Sequence, residues 1–393
     1  MRKRLSLIIT LAISLSLTTT AMAASVVTGI SDSNGIVTSI NISDLTLDQA
    51  LNSVESNNIE VQSINNKIDS LNKKLDNDKR TVIGIESNGK SQVNYPAAQY
   101  AGIMIQKQVT PVEDQQSIDN AKNSKDEKIN TIKFDIEKQY MNAITAKEQV
   151  DNINKNIADL NEQIKATQAK IDLGQLTKDS LNTLNVQKSK LLSQLATPYM
   201  QQQQAISNIK KYLNIDANSS LNLIPTKKQF VKFNDENIED RIKEAVSRDY
   251  NLTSMQKSID IKKIQVDIQT KYAFDSLTEP MNSKMDLEDL QNKSYDTNTN
   301  TSVNLWKAYY TLKNKEDAVQ AQMTAQESAQ LSYDKAKQSF DTGLIDKVSL
   351  DSAELALNTQ KVATEQAVND YVVVQEQLKY ALDGHASTAS SIQ

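Results

Sequence analysis

The chain contains no cysteine and only one histidine among its 393 residues. The absence of cysteine excludes disulfide bonds, a thiol nucleophile and a lipid anchor attached through cysteine. His385 alone cannot form a histidine-bearing metal cluster or a histidine-based metal cofactor site. The many carboxylates form no recognisable catalytic pair and are interpreted as solvated helix faces. We therefore expect a protein that is not an enzyme and that has no cofactor or metal.

Glycine, proline and aromatic residues are also scarce. The chain has 8 glycines and 5 prolines, aromatic residues make up 5% of it, and its mean hydropathy is −0.52. A compact fold of this size needs many more turns, so these shortages favour long helices with narrow apolar stripes. The formal net charge of −5 disfavours nucleic acid as a partner, because phosphate binding requires a basic surface.

The N-terminal residues have the three parts of a secretory signal sequence. A basic segment at 2–4 precedes an apolar run at 5–17, and Ala21-Met22-Ala23 fits a cleavage site. We expect residues 1–23 to be removed, although an uncleaved anchor is the alternative interpretation. Residues 24–43 are predicted to form a loose leader. No second apolar run is long enough to cross a membrane, so the mature chain is predicted to be exported without a transmembrane helix.

Residues 134–213 carry the strongest helical signal in the chain. Apolar residues recur there in steps of three and four, which is a heptad pattern, and Gly174 interrupts it. The pattern predicts two long helices folded against each other at a glycine turn. The apolar members are Val150, Ile153, Ile157, Leu160, Ile164, Ile171, Leu181, Leu184, Leu191, Leu195, Ala205, Ile209 and Tyr212.

The same pattern occurs again 169 residues further along the chain. At this offset Gly174 matches Gly343 and Leu181 matches Leu350, and no gap is needed. We infer an internal duplication. Its parts are a first helical repeat over 44–213, a linker over 214–237, a second helical repeat over 238–383 and a disordered tail over 384–393.

The first repeat holds extra material over 81–130, where glycine and proline are concentrated. These residues break helices, so the segment is predicted to be an irregular insert, with a short strand at Ile103-Met104-Ile105. Asp44 or Thr46 is expected to cap the first helix. Pro198 is expected to kink its helix or to begin a new one, because proline removes a backbone hydrogen bond.

Several motifs together resemble the TolC-like family of outer-membrane efflux proteins. The opening Leu45-Thr46-Leu47-Asp48-Gln49-Ala50-Leu51 is similar to the family's helical start, and Tyr140 and Tyr309 resemble its tyrosine before each tip. Gly174-Gln175-Leu176-Thr177 is similar to its first tip, and the segment 343–353 is similar to its second. The signal sequence and the duplicated hairpins add to this resemblance, which spans about residues 44–384.

The resemblance implies an all-α, elongated protomer of antiparallel coiled-coil hairpins, three of which form a hollow helical tube. One end of the tube would dock a periplasmic-adaptor-like protein or another exporter protein. The family's membrane strands are missing or shortened in this sequence, so little or no β-barrel is expected. The implied location is the outer membrane and periplasm, or the cell wall of a bacterium that lacks an outer membrane.

The same resemblance makes the hairpin tips the candidate docking sites. An exposed apolar residue beside a turn suits a partner surface, but the glycines could serve only to permit a tight turn that the leucines pack. The tip residues are Gly174, Leu176, Thr177, Gly343, Leu344 and Ile345. The candidate gate-lining residues, which follow the second tip, are Asp346, Ser349 and Asp351. Trp306 is interpreted as a packing residue.

These expectations combine into a coiled-coil envelope protein that forms the tubular part of an export assembly. Its helices would surround a water-filled path, and its tips would meet a pump or an adaptor. The alternative is a structural spacer or binding rod of the envelope that has no conduit. Periodicity alone does not separate the two, because the apolar stripes serve packing within the chain in either case.

Overall fold

The computed structural model describes residues 44–89, 92–274, 276 and 278–392. The predicted signal sequence, 1–23, and the predicted leader, 24–43, lie outside these residues. Within the described ranges the chain is all-α apart from two strands of two residues each. The helices are α1 (Leu47–Asn52), α2 (Val54–Asn57), α3 (Ile59–Ser87), α4 (Ala97–Gln108), α5 (Thr110–Asp172), α6 (Asp179–Tyr212), α7 (Ile238–Arg248), α8 (Tyr250–Tyr272), α9 (Thr278–Asp341) and α10 (Lys347–Leu382).

Two long helical hairpins dominate the structure. Helices α5 and α6 form the first and helices α9 and α10 form the second, and the members of each hairpin pack along each other. The 63 residues of α5 give it a length of about 95 Å at a rise of 1.5 Å per residue. Helix α3 lies along α5, and α8 lies along α9. The predicted all-α fold of elongated antiparallel hairpins is therefore confirmed.

The first helix begins at the sequence signal that predicted it. The Thr46 side chain accepts a hydrogen bond from the Gln49 amide, and the Gln49 side chain bonds back to the Thr46 amide, which completes a capping box. The helix that begins there is short, because the chain breaks at Ser53 and again at Asn58 before the long helix α3. Asn58 then caps α3 and donates a hydrogen bond to the Tyr212 carbonyl at 2.8 Å, which joins α3 to the end of α6.

The linker between the hairpins begins at a small parallel sheet. Strand β1 (Asp44–Leu45) pairs with β2 (Asn222–Leu223), and Leu45 lies opposite Leu223. The buried hydroxyl of Tyr140 lies 2.8 Å from the Leu45 carbonyl oxygen and 2.6 Å from that of Ile224. These contacts fix the start of the linker to the first hairpin.

A second buried tyrosine fixes the other end of the linker to the second hairpin. The Tyr371 hydroxyl on α10 accepts a hydrogen bond from the Phe233 amide at 2.7 Å. It also lies 3.1 Å from the Val231 carbonyl oxygen, and the Gln375 amide donates to it at 3.1 Å. The linker therefore runs from one hairpin to the other, held by a tyrosine at each end.

Buried apolar residues gather in three clusters. One lies within the first hairpin around Tyr140, and one lies within the second around Tyr371. A smaller third cluster joins α4 to α8 through Ala101, Ile261 and Ile268. The core is therefore divided along the length of the helices, as narrow apolar stripes require.

The predicted irregular insert over 81–130 is wrong for most of its length: among the described residues, only 88–89, 92–96 and 109 lie outside α-helices, and Gln92–Asn94 there form a 3-10 turn. Helix α3 continues through Gly84 to Ser87, α4 contains Gly102 together with the predicted strand at 103–105, and α5 begins with Pro111 in its first turn. Proline is compatible with that first turn because its missing amide has no helical partner there. The apolar residues of α4 pack against α8, and this tertiary contact outweighs the low helix propensity of glycine.

The predicted disordered tail over 384–393 is also wrong for the residues that the structure describes. Residues Ala386–Ser391 form a 3-10 helix, and Ala386, Ala389 and Ile392 are buried against the second hairpin. The buried carboxylate of Asp249 accepts a hydrogen bond from the Ser387 amide at 2.8 Å. Small apolar side chains and this one polar contact order a segment that reads as polar in the sequence.

Pro198 lies inside α6, which continues from Asp179 to Tyr212, so the proline does not begin a new helix.

No helix in the described part of the chain is long and apolar enough to cross a membrane.

Candidate docking tips and the joint between the hairpins

The two hairpin tips share one backbone turn. Gly174 and Gly343 both have φ of +72°, and the amide of each bonds to the carbonyl three residues before it at 2.9 Å. The next amides, of Gln175 and Leu344, bond to carbonyls five residues earlier at 2.8 Å. This is the Schellman arrangement that closes a helix with a left-handed residue, so glycine is needed for the turn itself.

Apolar side chains at both tips nevertheless face solvent. Leu344 is 78% exposed, Leu173 is 73% exposed and Leu176 is 40% exposed, whereas Ile345 is half-buried. In a Schellman turn a hydrophobic residue at the position of Leu344 often packs back on the helix. Leu344 does not do so, and Thr177 at the first tip is exposed as well. The glycines therefore make the turns, while the leucines remain available for contact.

The predicted gate-lining residues have three different surroundings. Asp346 caps α10 by accepting a hydrogen bond from the Ser349 amide at 2.8 Å, and the hydrogen bonds from Ser349 lower the pKa of Asp346. Ser349 itself is exposed. Asp351 is buried, pairs with Lys347 and accepts a hydrogen bond from Gln163 of α5 at 2.8 Å. Asp351 thus joins the two hairpins.

Asp351 belongs to a continuous contact between α5 and α10, which we call the hairpin joint. Next to the Gln163–Asp351 contact, and further from the tips, lies the Lys155–Glu354 ion pair at 2.5 Å. At the opposite end the Tyr380 hydroxyl donates to Asp126 at 2.8 Å, and the Tyr380 ring packs edge-on to Phe134 at 6.0 Å. The contacts progress in opposite directions along the two helices, which shows that α5 and α10 are antiparallel.

The middle of the hairpin joint holds four carboxylates and two lysines of the linker. Lys227 pairs with Glu148 of α5, at 3.3 Å, and with Glu365 of α10. Lys228 pairs with Glu137 of α5 and with Glu376 of α10, the latter at 3.7 Å. Each lysine therefore connects one carboxylate of the first hairpin to one of the second.

Burial raises the pKa of two of these carboxylates. It raises the pKa of Glu376 to about 7, and the hydrogen bond and negative charge of Glu137 add to the effect. Burial followed by contact with Glu365 also raises the pKa of Glu148. The sequence interpretation of the carboxylates as solvated helix faces is therefore wrong at the hairpin joint, where Glu137 is 3% exposed.

Helix α9, in the second hairpin, carries an exposed apolar face. The face consists of six exposed side chains, which fall within about 80° of one another on an ideal helix and extend along it over about 75 Å. Trp306 lies beside this face and stacks on Tyr310 with ring centroids 5.9 Å apart. We call the six exposed residues, without Trp306, the α9 face: Met281, Met285, Tyr295, Val303, Tyr310 and Leu331.

Helix α6 also presents apolar residues to solvent. Tyr199 and Met200 are 52% and 66% exposed, and Val186 and Leu192 are exposed nearer the tip. Exposed large apolar residues on two long helices exceed what scattered surface positions normally show, which indicates surfaces that contact another molecule.

No protein-family model matches the chain, and no curated protein matches its sequence. Solved structures of outer-membrane channels do share its fold. The similarity to CusC has a TM-score of 0.62 at 10% identity and covers 86% of this chain and 91% of that chain. The open-state MtrE channel of Neisseria gonorrhoeae gives 0.59 at 8% identity and covers 92% and 94%.

VceC of Vibrio cholerae gives a TM-score of 0.58 at 9% identity and covers 86% of this chain and 96% of that chain. At these identities the likeness establishes the fold and nothing finer. The resemblance to TolC-like outer-membrane channels that the sequence predicted is therefore confirmed at the level of the fold.

Sequence reasoning missed the hairpin joint and the α9 face. Lys227 and Lys228 stand in a linker with no helical periodicity, so nothing in the pattern indicated partners on both hairpins. The α9 face left a weak signal, because Tyr295, Val303 and Tyr310 recur at helical spacing outside the predicted heptad stripe.

Proposed function

We propose that the chain is an exported, non-enzymatic component of an efflux conduit in the cell envelope. The observation that carries this proposal is the likeness in fold to outer-membrane channels over nearly the whole of both chains, 92% and 94% in the case of MtrE. Long helices with a polar surface suit the wall of a water-filled path. Such a role requires no chemical reaction between this chain and the transported cargo.

We further propose that copies of the chain assemble side by side, because the two hairpins differ in what covers them. At the offset of 169 residues α5 matches α9 and α10 matches α6. Helix α10 covers α5 within one chain. The matching face of α9, which includes Tyr310, would then be covered by α6 of a second copy, in the same way.

The uncovered residues of α6 support this arrangement. Tyr199 and Met200 match Val368 and Asn369 of α10, which are buried. A contact between two different faces repeats from copy to copy and has to close into a ring to remain finite. The family resemblance gives three copies for that ring, and its centre would be the conduit.

The exposed tips are proposed to dock the next component of the export path. Leu344 and Leu173 lie at the ends of the two hairpins, so a ring of copies would present them together as one apolar rim. The occupant that the resemblance implies is a periplasmic-adaptor-like protein or an exporter protein. Asp346 and Thr177 would lie at the edge of that rim.

The first test is the solution mass of the mature chain, residues 24–393, measured by light scattering during size-exclusion chromatography. A stable trimer is the expected result. A monomer at every concentration tested would overturn the conduit and would favour the spacer interpretation.

The second test separates docking from assembly. Leu344→Asp places a charge on the rim, and it should abolish export of cargo in cells while leaving the trimer intact. Ile83→Asp is the matched control, because Ile83 is 64% exposed on α3 near the opposite end of α5. If Leu344→Asp preserves export, or if both variants lose it equally, the tips are not the docking site.

A further inference from the structure

The hairpin joint contains a pair of carboxylates that share one lysine. Glu137 has a side chain that is 4% exposed, and Lys228, 29% exposed, is its ion-pair partner. No well-aligned hydrogen bond from the described residues reaches the Glu137 Oε1 atom. Glu376 approaches the same lysine from α10 at 3.7 Å. Two negative charges therefore face one positive charge, with Glu137 buried and the Glu376 side chain 37% exposed.

We propose that Glu137 and Glu376 form a proton-binding site beneath Lys228, and that this proton controls how tightly the two hairpins hold together. With one proton on the pair, the site carries one negative and one positive charge and is neutral. Without the proton, it carries an uncompensated negative charge between two helices. Burying such a charge is costly, so the deprotonated joint is the weaker one.

The surrounding charges are consistent with one retained proton. On its own helix, Glu376 has Lys379 nearby, but the Lys379 ammonium lies 3.2 Å from the Gln375 side-chain oxygen. On α9, Lys313 pairs with Glu316 at 2.9 Å, and Lys232 of the linker pairs with the same glutamate at 3.3 Å. These cations have partners of their own. Glu137, Lys228 and Lys379 are the charged groups that act on Glu376.

A second carboxylate pair repeats the arrangement further along the joint. Glu148 and Glu365 share Lys227, and each lies eleven residues from its counterpart in the first pair. Lys227 and Lys228 are adjacent in the linker, yet each pairs with a different two carboxylates along the joint. Lys227 is 61% exposed, which makes this second pair the more solvated of the two.

The direction of the pH effect follows from the raised pKa of Glu376. Its pKa in the folded chain is about 7, above the ordinary value of 4.5. The stabilising contribution is complete below about pH 4.5 and is lost as the pH rises through about 7. The hairpin joint is therefore tighter in mild acid than in mild alkali. Because the site lies within one chain, this holds whether or not copies assemble.

The test compares pH profiles of stability for the mature chain and its Glu376→Gln variant. For one linked proton, the unfolding constant of the native chain relative to the variant should rise between pH 6 and pH 8 by up to about tenfold, and by less to the extent that solvent screens the partly exposed Glu376 carboxylate. Glutamine imitates the protonated acid, so the variant should match the native chain at pH 5 and exceed its stability at pH 8. Urea titrations at each pH measure both.

A second readout detects the proton directly. The infrared band of a protonated carboxylic acid should disappear around pH 7 in the native chain and should be absent at that pH in Glu376→Gln. Lys228→Met removes the cation that pairs with both carboxylates in the described structure and should move the transition to higher pH. This variant distinguishes a titrating pair from a residue that only fills space.

Glu354→Gln is the matched control, because Glu354 also joins α10 to α5 but pairs with the exposed Lys155. It should retain the native pH profile. Identical profiles for the native chain and Glu376→Gln, or a native infrared spectrum without a band that titrates near pH 7, would overturn the proposal.

Discussion

Matched helical positions have different surroundings in the two hairpins. Glu137 on α5 is buried at the hairpin joint, and Met141, one turn further along the same helix, is buried as well. Their matches on α9, at the offset of 169 residues, are Tyr310 and Trp306, and Tyr310 is 58% exposed. Where the chain itself supplies a cover, the position holds a carboxylate with a lysine brought by the linker. In the second hairpin the matched positions hold aromatic residues, of which Trp306 is half-buried against the core and Tyr310 is exposed.

This difference shows that burial depends on what the chain folds over a helix as much as on the helix itself. A buried carboxylate requires a cation held in place, and the linker provides one at Lys228. An aromatic residue requires no such partner and gains free energy when any apolar surface covers it. The chemistry of the α9 face is therefore suited to a contact formed after folding.

The largest expected effect comes from placing a carboxylate at both matched positions. Met141→Asp buries a charge without a partner, and we expect it to lower the free energy of unfolding by at least about 3 kcal/mol. Tyr310→Asp changes an exposed residue, so it should alter that free energy by no more than about 0.5 kcal/mol. It should instead shift the mass measured by light scattering from trimer to monomer.

Urea unfolding and light scattering on the same two variants decide the outcome. Equal losses of stability would mean that the α9 face is covered within the chain. An unchanged trimer in Tyr310→Asp would mean that copies do not meet through this face.

A smaller effect is expected from the tyrosine that holds the linker to the second hairpin. Tyr371→Phe leaves the buried amide of Phe233 without its hydrogen-bond partner, which costs about 1–3 kcal/mol. Tyr310→Phe removes an exposed hydroxyl and serves as the control, with no measurable change. Urea unfolding monitors both, and similar values for the two variants would show that solvent replaces the hydroxyl at the linker.

The smallest expected effect concerns the two tips, which share a turn but differ in capping. Asp346→Ala removes the side-chain cap of α10 and should cost about 1 kcal/mol. Thr177→Ala at the matching position should cost much less, because no side-chain cap begins α6. The pKa of Asp346 is lowered, so its contribution is present above the ordinary value of 3.8 and is lost as acid protonates the folded carboxylate.

Thermal unfolding above and below that pH measures the difference between the two tip variants. A cost for Asp346→Ala that persists unchanged in strong acid would show that the aspartate does not act through its charge.

The regular parts of this fold were predictable, because they depend on local pattern. Heptad spacing located both hairpins, Gly174 and Gly343 located the turns, and Thr46 located the first helix start. These signals are contained within a few residues of sequence. The sequence left open whether the leucines beside these turns pack on them, and the exposure of Leu344 is a finding of the structure.

The remaining features depend on contacts between residues far apart in sequence. Gly102 and Pro111 predicted irregular chain, but α4 is stabilised by α8, which lies more than a hundred residues further on. The local sequence around Glu137 is that of a solvated carboxylate, and its pairing with Lys228 and Glu376 depends on residues far away in the chain. His385 in the tail stacks on Tyr380 at 4.1 Å, a contact that no local pattern specifies.

The linker also sets the concentration at which each hairpin encounters the other. Because residues 214–237 connect them covalently, the second hairpin is present near the first at an effective concentration that a short connection typically places in the millimolar range. A contact held by lysines and carboxylates is sufficient at such a concentration. Two separate copies would have no such connection and would meet at a much lower concentration, so their proposed association would need a surface such as the apolar α9 face, which extends over about 75 Å.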